Sequence, residues 1–186
     1  MKLRRLAVTA TVAVAATTSL AACGSEEPST GKTEGTYVNT GDLRYQVQIS
    51  RQLNADDFED RDYLTGLPAG GAKLATGQEW FAVFIRVFNR TDKPEQSASQ
   101  FVIRDTTGKT YQPVALDTNL NRTAYRSVVV NGGDQVPVPG SLARENLTQG
   151  GLILFKVQSS SYASRPLELE ITPPNGGKAA FVDLDV

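Results

Sequence analysis

Apolar and polar residues alternate with a period of two along most of the chain beyond residue 42. Leu43, Tyr45, Val47 and Ile49 alternate with Arg44, Gln46 and Gln48, the pattern of a strand with one buried face. From Glu79 to Asn89 both phases are apolar. Phe81, Val83, Ile85 and Val87 point one way and Trp80, Ala82, Phe84 and Phe88 the other, with Arg86 as the one internal charge. Such a strand is expected at the centre of a sheet and covered on both sides. Gly151 to Val157 repeats this double-sided pattern. Phe101 and Ile103 begin a strand that turns through Asp105-Thr106-Thr107-Gly108 and returns over Thr110 to Val114, a hairpin signal. Val128-Val129-Val130 forms a short β-rich patch, and Pro137 and Pro139 bracket an edge or irregular segment. Leu167, Leu169 and Ile171 alternate with Glu168 and Glu170. Ala180, Val182, Leu184 and Val186 close the chain in the same way.

Between these runs lie turn residues, among them Asn89 to Pro94, Asn131 to Asp134 and Pro173 to Gly177. The stretch 51–77 is polar and loop-like, broken by Pro68-Ala69-Gly70-Gly71, and Asp56 to Leu64 suits a short helix. Seven or eight short strands with turn signals between them and no amphipathic helix after residue 22 predict an all-β protein, a β-sandwich or barrel over residues 41–186.

The first 22 residues follow another rule. Met1-Lys2-Leu3-Arg4-Arg5 is basic, and Leu6 to Leu20 is uncharged and rich in Ala, Val and Thr. A basic start, an apolar run too short to span a bilayer and small residues at its end make a secretory signal peptide over residues 1–22. Arg4-Arg5 also matches the core of a twin-arginine signal, although its flanks fit poorly. Leu20-Ala21-Ala22-Cys23 resembles the lipobox of bacterial lipoproteins. That resemblance implies a diacylglyceryl group on Cys23 and cleavage before it, and so a protein on the extracytoplasmic face of the cell membrane. Several acyl chains would hold it stably where one would not. Residues 23–40 carry mainly Ser, Glu, Pro, Thr, Gly and Lys, with Tyr37 and Val38 as the bulky apolar exceptions. They are expected to be a flexible tether with a reach of roughly 20–25 Å.

Composition narrows the chemistry. The chain contains no histidine and one cysteine. This excludes histidine acid–base catalysis, Ser-His and Cys-His nucleophiles, His-ligated metals, multi-thiolate sites and an internal disulfide. Lys2, Arg4 and Arg5 leave with the leader, taking the formal charge from −1 to −4. A mildly acidic domain has no footprint for nucleic acid and no general attraction to anionic lipid. No glycine-rich loop leads from a strand into a helix, so nucleotide binding is not expected. No cofactor is implied.

Four groups of residues carry candidate chemistry. Asp56, Asp57, Glu59, Asp60 and Asp62 are hard oxygen ligands that could hold calcium, or a solvated loop balanced by Arg51 and Arg61. Tyr63, Tyr125 and Tyr162 are candidates for a ligand-stacking platform, whereas Trp80 is expected in the core. Asp105 and Tyr111 flank a turn. They form either a carboxylate–phenol pair or a turn cap with a packed ring. Asn89-Arg90-Thr91, Asn121-Arg122-Thr123 and Asn146-Leu147-Thr148 match glycosylation sequons but are expected to serve as turn chemistry.

Trp80 to Asn89, Phe101-x-x-x-Asp105-x-x-Gly108-x-x-Tyr111, Gly150 to Val157 and Pro166 to Ile171 together resemble the telokin-like, immunoprotective-antigen-like group of immunoglobulin-fold domains. The resemblance spans roughly residues 43–172. It implies an immunoglobulin-like antiparallel β-sandwich, exported and often on a lipoprotein, with no catalytic residues to carry over. The expectation is a non-catalytic binding or protein-interaction module with an envelope protein or polymer as partner. The alternatives are a structural or accessory subunit of an envelope complex and a carboxylate-based enzyme.

Overall fold

The computed structural model describes residues 28–186; the expected signal peptide and Cys23 lie outside them. In chain order the strands are β1 (Thr30–Gly31), β2 (Tyr37–Thr40), β3 (Leu43–Leu53), β4 (Gln78–Asn89), β5 (Glu95–Gln96), β6 (Gln100–Arg104), β7 (Thr110–Tyr111), β8 (Val129–Val130), β9 (Gln135–Val136), β10 (Gly151–Gln158), β11 (Leu167–Thr172) and β12 (Ala180–Leu184). Two short helices, α1 (Phe58–Tyr63) and α2 (Leu142–Glu145), and a 3-10 turn at Ser159–Ala163 interrupt them. Seven of these strands run four residues or more, as the alternation predicts. No helix among the described residues is long and apolar enough to cross a membrane.

The strands form a β-sandwich. One sheet has the order β1-β12-β11-β6-β7 and the other β10-β4-β3-β2, with β9 continuing alongside β4 past β10. A two-stranded ribbon, β5-β8, stands apart. The inward residues of both sheets meet in one core. Tyr45, Val47, Phe81, Val83, Ile85 and Phe155 come from one side and Phe101, Ile103, Leu167, Leu169 and Val182 from the other. One pairing departs from the antiparallel expectation, since β1 lies parallel to β12.

The folded unit begins before residue 41. β1 and β2 fall within the stretch read as tether, with Thr30 registered on Phe181 and Tyr37 on Gln46. Val38 and Tyr37 supply the apolar surface that makes this worthwhile: Val38 is fully buried in the core.

A bulge corrects the reading of β3. The register shifts between Val47 and Ile49, so that Val47 faces Ile85 and Ile49 faces Phe84. One inserted residue reverses every later side chain. Ile49 therefore turns outward, 40% exposed, and Ser50 turns in, where its backbone N–H and hydroxyl both donate to Glu34.

The double-sided pattern of β4 and β10 has a specific cause. Their outer face carries a second core of Leu53, Tyr63, Trp80, Ala82, Phe84, Leu152 and Leu154, closed by Leu64, Leu67, Leu74, Val114 and Leu116. The polar stretch 51–77 is thus the lid of that core. Phe81, Val83, Ile85 and Phe155 are buried with one another as the pattern predicts, while Leu152 and Leu154 are buried on the opposite face of the sheet.

Candidate functional site

The acidic residues of the 54–62 segment do not converge. Asp57 caps α1, accepting from the Glu59 and Asp60 N–H groups at 2.8 and 3.4 Å. Asp60 turns inward and is buried. It accepts from Arg51 Nη2 at 2.5 Å and from the Asn54 N–H at 2.8 Å. Burial alone would raise its pKa, but the bond to Arg51, the Asn54 N–H and the guanidinium charge together lower it. Asp56, Glu59 and Asp62 are exposed. Among the described residues no three His, Cys, Asp or Glu side chains group so as to hold a metal ion. The segment is a capped, ion-paired helix rather than a calcium loop, because two of its five carboxylates serve the helix and its anchor.

The three tyrosines do not make a platform either. Tyr63 is buried in the second core, edge-on to Phe84 at 5.0 Å between centroids. Tyr125 stands edge-on to Phe101 and donates its hydroxyl to the Ala98 carbonyl at 2.8 Å. Tyr162 packs near Phe81. Burial and the neighbouring Glu79 carboxylate push its phenol up to about 12. The three belong to different packing sites. Tyr125 does line a small cleft of about 220 Å³ with Phe101, Pro113 and Leu116, but its hydroxyl is committed to the backbone.

A local motif recurs at three turns. In Asn89-x-Thr91, Asp105-x-Thr107 and Asn121-x-Thr123, the Oδ1 of the first residue accepts from both the N–H and the hydroxyl of the threonine. This is an Asx-turn closed twice over. All three leading residues are buried. Asn89 and Asn121 also spend their amides on carbonyls, Asn89 on Lys93 and Val130 and Asn121 on Tyr63 and Thr65. The first two sequons are therefore turn chemistry, as expected.

Asp105 combines the two roles weighed for it. Its Oδ1 closes the turn, accepting also from the Lys109 N–H, and its Oδ2 accepts from the Ser161 hydroxyl at 3.1 Å. Ser161 in turn is hydrogen-bonded to the Tyr111 hydroxyl. The Thr107 hydroxyl above all, with the Lys109 N–H, Ser161 and the Thr107 N–H, holds the carboxyl below its ordinary value against the opposing effect of burial. A carboxylate saturated with donors is a weak base, and Ser161 and Tyr111 are buried beside it. The chain Asp105–Ser161–Tyr111 ties the β6–β7 turn to the 3-10 turn.

The outer face of the β2-β3-β4-β9 region, beyond the lid of the second core, is half-buried. Three strands place alternating outward residues there: Tyr37 and Asn39 from β2, Arg44 and Gln46 from β3, and Arg86 and Phe88 from β4, with Gln135 from β9. Tyr37 and Phe88 meet edge to face at 5.6 Å. The Arg44 guanidinium lies 5.1 Å from the Tyr37 ring centroid and that of Arg86 4.8 Å from Phe88. Stacking on a ring holds a guanidinium in place while leaving its edge to donate. Arg86 Nη2 donates to Gln135 Oε1 at 2.8 Å. Arg90 follows β4 and shares two adjoining open grooves with Arg44. One of about 370 Å³ also includes Tyr37, Phe88, Asp134 and Gln135, and one of about 390 Å³ includes Asn39, Gly41 and Asp42. Burial and the nearby Arg90 lower Arg44 from its ordinary value, and burial and Arg144 lower Arg86. The sequence carried one trace of this face, Arg86 as the lone charge in an apolar strand. Arg44, Arg90, Tyr37 and Phe88 were missed because strand pairing, not spacing, brings them together.

No family model matches the chain, and no curated protein matches it. Solved structures do share its fold. The yjhA protein from Bacillus subtilis superposes with a TM-score of 0.55 at 12% identity, over 83% of this chain and 99% of its own. MPT63, a secreted protein from Mycobacterium tuberculosis, superposes with a TM-score of 0.50 at 15% identity, over 86% of this chain and 99% of its own. At such identities the likeness extends to the β-sandwich alone.

Proposed function

We propose that this protein is a lipid-anchored, extracytoplasmic, non-catalytic binding module, and that its binding surface is the arginine–aromatic face of β2, β3 and β4. The observation that carries this reading is the partly exposed Tyr37–Phe88 pair, edge to face at 5.6 Å, with the Arg86 guanidinium set 4.8 Å from the Phe88 ring. Guanidinium edges recognise carboxylate and phosphate oxygens in pairs, and the rings supply apolar area beside them. The leader and Cys23 support the location. The commitment of Asp57, Asp60, Asp105 and Ser161 to structural bonds supports the absence of catalysis.

Two experiments test it. Cys23→Ser should release the protein from the membrane fraction, and mass analysis of the wild-type N-terminus should find acylated Cys23. A soluble wild-type chain starting elsewhere would contradict the anchor. For the surface, the mature protein is titrated with soluble polyphosphate and with a polyuronate. Binding that weakens at least tenfold in Tyr37→Ala/Arg86→Gln is expected. Equal binding by the folded variant would move the site elsewhere.

A further inference from the structure

Two neighbouring segments leave four apolar side chains in water. Leu120 is 68% exposed, Val138 57%, Leu142 50% and Leu147 93%. A lone exposed leucine is ordinary, but several from adjoining segments mark a contact surface. Both segments are held from within. On α2, Ala143 is buried and accepts from the Gly150 N–H at 2.8 Å, while Leu142 beside it stays outside. The Asn146 amide donates to the Tyr63 hydroxyl at 3.2 Å, and the Ser141 hydroxyl to the Val138 carbonyl at 2.7 Å. The Leu120 turn is closed by the Asp117 carbonyl, and Asn121 ties it to Tyr63 and Thr65. The Thr123 carbonyl accepts from the Leu152 N–H, two residues along the chain from Gly150. Tyr63 and the first residues of β10 therefore bring Leu120 and the 138–147 segment together.

The described chain begins at this same end of the sandwich. β10 starts opposite Ile85 on β4. Asn89, four residues on, is registered with Leu43, and Leu43 with Thr40. The Asn39 N–H, next along β2, donates to the Pro28 carbonyl at 3.0 Å. Pro28 thus lies about 10 Å along the strands and about 20 Å across them from the start of β10. Five peptide steps separate Cys23 from Pro28, a span of at most about 18 Å. A lipid on Cys23 holds this end of the domain, and not the other, against the bilayer. Taking the lipid anchor on Cys23 as given, we propose that Leu120, Val138, Leu142 and Leu147 are a membrane-seating surface, which enters the boundary between headgroups and acyl chains of the anchoring membrane. The anchor supplies attachment and a high local concentration of bilayer; the apolar side chains fix which end of the sandwich meets it. Such a contact draws on apolar burial and needs no anionic lipid, in keeping with the acidic balance of the domain. Phe58 of α1 lies towards the other end, where β3 runs out at Leu53 opposite Trp80 and β10 at Gln158 opposite Gln78.

Cys23 is the chain's one cysteine and acylation consumes its sulfur, so Leu147→Cys introduces a single free thiol. That thiol is labelled with an environment-sensitive nitrobenzoxadiazole probe, and the lipidated protein is placed in phosphatidylcholine vesicles. Probe emission should rise severalfold over the soluble Cys23→Ser/Leu147→Cys chain and be quenched by a nitroxide lipid. It should persist at about 1 M salt, where charge contacts act over only about 3 Å. The same probe at Phe58→Cys, an exposed apolar position away from the anchor, should report water. Taking one leucine out of water is worth roughly tenfold or more, so adding Leu120→Ser/Leu142→Ser should lower the docked-to-free ratio about 100-fold. Thermal melts check that these variants are folded. A vesicle-bound protein whose probe at 147 reports water, or reports the same as at 58, overturns the proposal and leaves the anchor standing. A vesicle response that survives the Ser substitutions overturns it too. So does emission that rises with protein concentration in the soluble chain, which would assign the surface to a second copy. An unacylated chain that does not float with vesicles overturns the anchor, and this proposal with it.

Discussion

Truncating Phe155 to alanine probes the junction on which the sandwich depends. Phe155 is fully buried, registered opposite Phe81 on β4 and bridged on its other side by Pro113. Removing a buried phenyl ring forfeits about 1.5–3 kcal/mol of transfer free energy. Backbone pairing on both sides resists collapse, so a void of roughly 80 Å³ persists and costs about 2 kcal/mol more at about 24 cal/mol per Å³. The expected loss is about 4 kcal/mol. With a urea m-value of about 2 kcal/mol/M, the midpoint should fall by about 2 M with no change in slope. Phe58→Ala is the control: Phe58 lies on α1, 76% exposed, and its loss should cost within about 0.5 kcal/mol. A Phe155→Ala cost below about 1.5 kcal/mol, or a Phe58→Ala cost that matches it, would refute this account of the core.

Three further outcomes follow from buried polar groups. Asn121→Ala removes an amide that clamps residues 63–65 to 121–124; it should cost about 3 kcal/mol and speed amide exchange throughout the lid 54–77, and unchanged exchange there would contradict the clamp. Asp105 has a folded-state pKa below its unfolded value, so its contribution is complete above about pH 4 and is lost as pH falls through the folded value; Asp105→Asn should flatten the acid limb of stability against pH, and an unchanged slope would deny the carboxylate that role. Burial pushes the Tyr45 phenol up to about 12 and raises Tyr125, with Tyr162 also up to about 12. An unfolded phenol ionises near pH 10, so their contribution is present below about pH 10 and is lost as pH rises through about 12. Phenolate absorbance from these three should emerge together with loss of the far-ultraviolet dichroism, and six tyrosines ionising near pH 10 in a folded protein would refute it.

The strands themselves were legible in the sequence, because a sheet with one buried face forces a period of two on its residues. β4, β6, β10, β11 and β12 stand close to where alternation places them. The Asx-x-Thr turns were legible for a related reason: the bonds that close them span two residues and need no distant partner. The absence of histidine bounded the chemistry without any coordinates. Everything that depends on which strand pairs with which was left to the tertiary structure. The bulge between Val47 and Ile49 is invisible in an unbroken alternation, yet it turns Ile49 out and Ser50 in. The polar run 51–77 conceals the few apolar residues, Leu53, Tyr63, Leu64, Leu67 and Leu74, that close a second core. β1 and β2 look like a tether until β12 and β3 supply their partners. The arginine face is the clearest case. Arg86 stacks on Phe88 of its own strand, but only the antiparallel register of β2 on β3 sets Arg44 over Tyr37 and the register of β3 on β4 brings the two pairs side by side.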